Sequence, residues 1–259
     1  FSSLERVELS KSLSKIEDNA FYYCGKLNYI EIPKNITVIG AGAFLGCENL
    51  NDIEIPDNIV EIGSGAFGGC KNLNDIEIPD SVSKIGGSAF DGIKTVKIGK
   101  IVESSDGLER NALSCETLII RDGVKKLINC SGDFLNVEIP KSVNEIGNGC
   151  FYYNRSIKSV TIPEGVKEIW GMANLSTYEK VILPKSLKKV NVEGIFSDLT
   201  GRVVFLGDKV PEFTGECDIN LGDEFEIRVK KGLERKMLRA LKKHFLMSSD
   251  TLKRYITTF

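Results

Sequence analysis

The sequence predicts a right-handed, β-rich solenoid of parallel strands, closed at its C-terminal end by a helical cap. Three observations lead to this prediction: an apolar motif that recurs every 23 residues, a period-two alternation inside each copy, and one amphipathic segment after the last copy. A fixed period of this length is typical of repeat proteins, in which a unit that cannot bury its own apolar face stacks on the next unit.

The composition is that of a folded protein without an overall charge preference. Of the 259 residues 42% are hydrophobic, and 34 Lys and Arg nearly balance 36 Asp and Glu. Such a chain has enough apolar material for a core, and a net charge of -2 gives no general attraction to nucleic acid. No run of 18 apolar residues occurs, so we expect no membrane span.

Each copy of the repeat begins with a short strand. The strand segment, such as residues 50–55, has the pattern L-x-x-I-x-I, which alternates like a strand with one buried face. A proline usually follows and ends the strand, because it lacks a backbone donor. The copies begin at Val7, Ile30, Ile53, Ile76, Val137, Val160 and Val181, and further strands are expected at 203–205 and 227–229.

The rest of each copy predicts a second strand and a turn. A branched apolar residue leads to an isoleucine and a glycine, which favours a second extended rung. The Ala-Phe pair that follows, as at Ala66 and Phe67, is expected to point inward from a tight turn. Residues 96–136 keep the period only loosely and have no proline after their strands, so we expect the solenoid to bulge or change curvature there.

The full motif I-x-I-P-x-x-V-x-x-I-G-x-x-A-F-x-x-C-x-x-L resembles the leucine-rich repeat of the BspA-like family over most of residues 1–231. The resemblance implies a leucine-rich repeat solenoid in a secreted or cell-surface protein of anaerobic commensal bacteria or parasitic protists. It also implies adhesion to host matrix or to other microbes, and it brings no catalytic motif. We therefore expect residues 1–231 to form the solenoid and residues 232–259 its cap.

The two ends of the sequence differ. Leu4 matches Leu50 in phase, so the sequence begins in mid-repeat, and we expect a fragment that could have lost a signal peptide upstream. At the other end one helical stripe is apolar and much of the remaining helix surface is basic. We interpret this segment as a cap that shields the last rung. The alternative is a helix that binds a membrane or an acidic partner.

Neither cysteine nor histidine chemistry is prominent. Cys24, Cys47 and Cys70 recur at the repeat period, which predicts buried thiols that act as small apolar side chains. Stacking could bring sulfurs together for a disulfide or a metal, but no C-x-x-C pair is present. His244 is the only histidine and no catalytic motif occurs, so we predict neither an enzyme nor a cofactor or metal site.

The outward side of the strands holds the candidate binding residues. The middle residue of each I-x-I segment points away from the core, which gives an acidic series of Glu8, Glu31, Glu54 and Glu77. Asp52 and Asp75 lie one residue before their strands. Like charges about 4.8 Å apart repel by about 1 kcal/mol per adjacent pair in water. The series therefore either binds a cationic partner or is soluble filler copied with the repeat.

Farther along the chain the outward residues become apolar. Ile119, Ile182 and Val204 occupy the same position, and exposed branched residues in line would form an apolar patch. Such a patch is either a binding hot spot or a surface covered by a neighbouring segment or chain.

These observations predict a non-enzymatic adhesion module that recognises a protein or glycoprotein, from host matrix or another microbe, through its strand-lined face. The alternative is a structural scaffold or spacer in a longer multidomain protein.

Overall fold

A computed structural model describes residues 3–147, 149–151, 154–171, 178–196, 201–217 and 225–259. Short strands dominate this part of the chain. In chain order they are β1 Arg6–Val7, β2 Lys15–Ile16, β3 Tyr29–Ile30, β4 Val38–Ile39, β5 Glu61–Ile62, β6 Asp75–Glu77, β7 Lys84–Ile85, β8 Thr95–Ile98, β9 Thr117–Ile120, β10 Lys126–Leu127, β11 Asn136–Glu138, β12 Glu145–Ile146, β13 Ser159–Thr161, β14 Glu168–Ile169, β15 Lys180–Leu183, β16 Lys189–Asn191, β17 Arg202–Phe205, β18 Glu212–Thr214, β19 Glu226–Val229 and β20 Ile256–Thr258. The helices are α1 Glu193–Phe196, α2 Glu234–Leu241 and α3 Ser249–Arg254, with a 3₁₀ turn at Lys100–Glu103.

The chain packs as two compact units. The N-terminal unit comprises Phe1–Arg121 with Asn129–Glu138, and the C-terminal unit comprises Asp122–Ile128 with Ile139–Phe259. All strand pairs within them are parallel, as the repeat predicts.

Most coils of the N-terminal unit place a short strand on each of two sides, but the strand predicted at 50–55 is reduced to a bridge at Asp52. The I-x-I segments form the front strands, β1 with β3 and then β6, β8, β9 and β11. The second segments form a four-stranded second sheet in the order β2, β4, β5, β7. In that sheet Ile39 pairs with Ile62, which lies one repeat later, and Ile62 pairs with Ile85. This register confirms the solenoid that the period predicts.

The irregular segment keeps the front strands and loses most of the second sheet. β8 pairs with β9 over four residues, and β9 pairs with β11 over three. On the second side the sheet of the N-terminal unit continues as a bridge between Ile85 and Leu108, and the segment's own second-side strand, β10, pairs with β12. The departure from the repeat therefore falls on the second side.

The core of the N-terminal unit is a stack of identical side chains from successive coils. The rings of Phe21, Phe44, Phe67 and Phe90 stack with centroids 5.3, 5.4 and 6.0 Å apart and nearly parallel planes. Phe67 is fully buried, which confirms the inward turn predicted for the Ala-Phe pair. The glycine that follows β4, β5 and β7 is required by close approach; a Cβ at Gly63, for example, would lie 2.7 Å from the Cα of the preceding coil's Ala41.

The C-terminal unit repeats this arrangement with two five-stranded sheets. Their orders are β10, β12, β14, β16, β18 and β13, β15, β17, β19, β20. Helix α2 packs against β18 and β20, and buries Met237 and Leu241. The helical cap is therefore confirmed. It also includes α3 and the added strand β20, which the sequence pattern did not predict.

Candidate binding face

Four carboxylates lie in successive coils on the front of the N-terminal unit. Val7 pairs with Ile30, so Glu8 and Glu31 are neighbours, and the bridge between Tyr29 and Asp52 brings Glu31 beside Glu54. Glu8, Glu31, Glu54 and Glu77 are all exposed, as are Asp52 and Asp75. The structure thus aligns the acidic residues that the sequence assigned to this face.

Glu77 differs from the other three because it has a basic partner. Arg121 Nη1 donates to Glu77 Oε1 at 2.9 Å, and the same guanidinium pairs with Asp80. Among the described residues Glu8, Glu31 and Glu54 form no ion pair. We call these three residues the acidic column.

Two other glutamates of the N-terminal unit are paired with lysines of the next coil. Glu61, on the second sheet, lies 2.8 Å from the ammonium of Lys84 in the next coil. The hydrogen bond and the charge of Glu61 raise the pKa of Lys84 above its usual value. In the turn region Glu48 pairs with Lys71 at 2.7 Å. The acidic column therefore lacks a compensation that neighbouring parts of the same coils have.

The front strands are interrupted in the region of the acidic column. Between the second and third coils the pairing of the front segments is reduced to the single bridge between Tyr29 and Asp52. By contrast, β6 and β8 pair over three residues. A groove of about 750 Å³ is lined by residues of both segments. Its charged lining residues are Glu31, Asp52, Glu54, Asp57 and Lys34. We call it the acidic groove.

A second groove adjoins the first and has a different charge. It measures about 620 Å³ and lies beside the first and second coils. Arg6, Lys11 and Lys34 line it together with Glu8 and Glu31. We call it the mixed groove, since its basic residues outnumber its acidic ones.

Tyr29 lines both grooves, and the repeat pattern did not identify it as a candidate. Its ring is partly exposed, and the guanidinium carbon of Arg6 lies 5.1 Å from the ring centroid. Arg6 and Tyr29 occupy the same register position as Asp52. The signal was available in the sequence, because the position before the strand is acidic at Asp52 and Asp75 but aromatic at Tyr29.

The predicted apolar patch is not present as expected. Val204 is only 8% exposed, so the prediction that it is an exposed surface residue is wrong. Its register neighbours are Ile182 and Arg228, and side chains on adjacent strands lie close enough to shield one another. Ile182 is half-buried.

Ile119 is also half-buried, and it lies in the N-terminal unit between two charged residues. Its register neighbours are Lys97 and Glu138. The residues beside Ile119 in the sheet are therefore polar, and its role in binding stays a prediction.

The cysteines behave as the repeat position predicts. All seven are buried, and the thiol of Cys70 donates to the carbonyl oxygen of Phe44 at 3.2 Å. Burial raises the pKa of the Cys47 and Cys70 thiols to about 12. Such thiols are poor nucleophiles and poor metal ligands at neutral pH.

Two further properties concern the described residues only. None of their helices is long and apolar enough to cross a bilayer. In the same part of the chain, His, Cys, Asp and Glu form no group of three that could hold a metal ion.

Comparison with known proteins gives one family match and several structural likenesses. The model of the BspA type leucine rich repeat region matches residues 1–120 and 123–201. No curated protein matches the sequence.

Among solved structures, a leucine-rich repeat protein from Bacteroides ovatus is 22% identical, with a TM-score of 0.39 over 86% of this chain and 76% of that one. A leucine rich cell surface protein from Faecalibacterium prausnitzii is 22% identical, with a TM-score of 0.33 over 80% of this chain and 74% of that one. The pneumococcal vaccine antigen PcpA is 16% identical, with a TM-score of 0.42 over 91% of this chain and 70% of that one.

Proposed function

Because the chain belongs to the BspA-type leucine-rich repeat family, we propose that it is a non-enzymatic adhesion module of the cell surface. It holds a basic segment of a protein or glycoprotein on the front of its N-terminal unit. The partner belongs to host matrix or to another microbe.

The observation that carries this proposal is the absence of ion pairs along the acidic column within the described residues. Glu8, Glu31 and Glu54 form no ion pair among the described residues, whereas Glu61 and Glu48 are paired with lysines. Neighbouring strands lie about 4.8 Å apart, at which distance each adjacent pair of carboxylates repels by about 1 kcal/mol in water. A cationic segment relieves this repulsion when it binds, so part of the binding free energy is already stored in the free protein.

The form of the face also favours a macromolecular partner. The column and both grooves lie on stacked coils of the solenoid, so little ordering is needed on binding. Each groove is open to solvent and is lined by two adjacent coils, which suits a chain segment better than an enclosed small molecule. His244, the only histidine, is in the cap region, where its Nδ1 lies 2.6 Å from the carbonyl oxygen of Gly215.

The test removes two charges from the column without changing side-chain shape. The variant Glu31→Gln/Glu54→Gln is compared with Glu48→Gln/Glu61→Gln, which removes two charges from ion-paired sites of the same unit. Binding to a panel of immobilised extracellular-matrix proteins is measured at several salt concentrations. We expect the first variant to lose at least tenfold in affinity and the control to change less than twofold.

Two results would count against the proposal. Equal affinities of the two variants would exclude the acidic column from binding. A parent protein that binds no member of the panel at low salt, while correctly folded, would favour a scaffold or spacer role.

A further inference from the structure

We propose that the acidic groove selects arginine over lysine in an extended segment of the partner, and that Tyr29 makes this selection. This inference rests on the proposed function, because it specifies the partner of the same face. It adds the chemical group that the groove recognises and a residue outside the acidic column.

The groove lies over two coils whose front segments share only the bridge between Tyr29 and Asp52 in the described residues. Four carboxylates line the groove against one ammonium, that of Lys34, so a cationic occupant is favoured.

Tyr29 offers an aromatic surface inside this acidic environment. Arg6 covers part of the ring, with its guanidinium carbon 5.1 Å from the centroid. Arg6 lines only the mixed groove, whereas Tyr29 lines both grooves. The residue is 38% exposed, so it has surface available on the side of the acidic groove. The contact with Arg6 also shows that this ring accepts a guanidinium.

The combination of an aromatic ring and carboxylates fits a guanidinium better than an ammonium. A guanidinium is planar and weakly hydrated, stacks on an aromatic face, and donates two parallel hydrogen bonds to a carboxylate. The carboxylates of Asp52 and Glu54 lie in the same groove as Tyr29. A lysine ammonium is a strongly hydrated point charge and makes no planar stack. The carboxylates alone would bind both, so the ring is the selective element.

The test uses two peptides of equal length and charge. One alternates Arg and Gly and the other alternates Lys and Gly, and each carries a fluorophore for anisotropy titrations at low salt. The parent protein is expected to bind the arginine peptide about fivefold more tightly, which corresponds to one stacked guanidinium at an exposed site. Tyr29→Leu is expected to lower the affinity for the arginine peptide to that for the lysine peptide, and to change the affinity for the lysine peptide by less than twofold.

Two matched variants separate selection from folding. Tyr29→Phe keeps the ring and is expected to keep the preference for the arginine peptide. This variant also provides a folded test case if the leucine variant is unstable. Tyr22→Leu removes another exposed tyrosine of the same unit and is expected to leave both affinities unchanged.

The outcomes distinguish this inference from the proposed function. The selection would be overturned if the parent protein bound the two peptides equally, or if Tyr29→Leu lost the same affinity for both. The acidic groove would then be a general site for basic segments. Binding of neither peptide by the parent protein would overturn both proposals. Retained preference in Tyr29→Leu would show that the carboxylates select arginine without the ring, and would also overturn the role of Tyr29.

Discussion

Replacing Phe67 by alanine is expected to cost far more stability than the same change at Phe21. Phe67 is fully buried, and its ring stacks on Phe44 at 5.4 Å and on Phe90 at 6.0 Å. Removing a buried phenylalanine costs about 3–5 kcal/mol. Each aromatic stack contributes about 0.5–1.5 kcal/mol beyond the buried area. Because the Phe67 ring stacks on both neighbours, we expect Phe67→Ala to lower the free energy of unfolding by about 4–5 kcal/mol.

Phe21 is the matched control because it occupies the same repeat position in the first coil. It is only partly buried and has one stacked neighbour, Phe44 at 5.3 Å. Because its side chain is partly buried and stacks on a single ring, we expect Phe21→Ala to lower the free energy of unfolding by about 2 kcal/mol. The difference between the two variants is therefore expected to be at least about 2 kcal/mol.

Urea unfolding followed by far-ultraviolet circular dichroism measures both losses, and the slope with denaturant shows whether the same structure unfolds. Equal losses for Phe67→Ala and Phe21→Ala would refute the reasoning, since stability would then not come from the packing of neighbouring coils. A larger loss at Phe21 would refute it as well.

Three other perturbations test other parts of the structure. Gly63→Ala is expected to lower the free energy of unfolding in urea by at least about 2 kcal/mol, because a Cβ there meets the backbone of Ala41. In the control Gly25→Ala the new Cβ meets nothing within 4 Å, so the free energy of unfolding should change by less than about 0.5 kcal/mol. Similar losses in the two variants would contradict the close approach. Glu54→Gln should raise the melting temperature at low salt, because it relieves up to about 1 kcal/mol of repulsion. This gain should vanish at about 1 M salt, where the screening length is about 3 Å. A gain in melting temperature that does not depend on salt would exclude charge repulsion. The Cys70 thiol has a pKa of about 12 in the folded protein against 9.0 for an unperturbed thiol, so its contribution to stability is complete below pH 9 and is lost as the pH rises toward 12. In Cys70→Ala the urea midpoint should therefore fall less steeply above pH 9 than in the parent protein. An equal slope in the two proteins would contradict the burial effect.

The coils and their stacking could be predicted because each position in the repeat has one dominant environment. The motif fixes Phe67 as inward, and a spacing of 23 residues fixes its stacked neighbours. Alternation likewise identified Glu31 and Glu54 as outward residues, and both are exposed. Local pattern is sufficient where each unit packs mainly on the next one.

Features that depend on neighbours outside the motif could not be predicted from the pattern. Val204 points outward by alternation, yet it is buried between residues of adjacent strands. Glu77 looks like the other outward glutamates, but Arg121, 44 residues away in the irregular segment, neutralises it. Tyr29 replaces the acidic residue found at that position in the next two coils; the sequence shows this replacement, but not the ring's place between the two grooves. In each case a departure from the repeat decides the local chemistry.

The location of the bound segment is tested most directly by hydrogen–deuterium exchange of the parent protein with and without the arginine peptide. Slower amide exchange is expected in residues 29–34 and 52–58, which line the acidic groove. No change is expected in β5 or β7 of the second sheet. Protection confined to the second sheet or to helix α2, with exchange in residues 29–34 and 52–58 unchanged, would show that the front of the N-terminal unit is not the binding face.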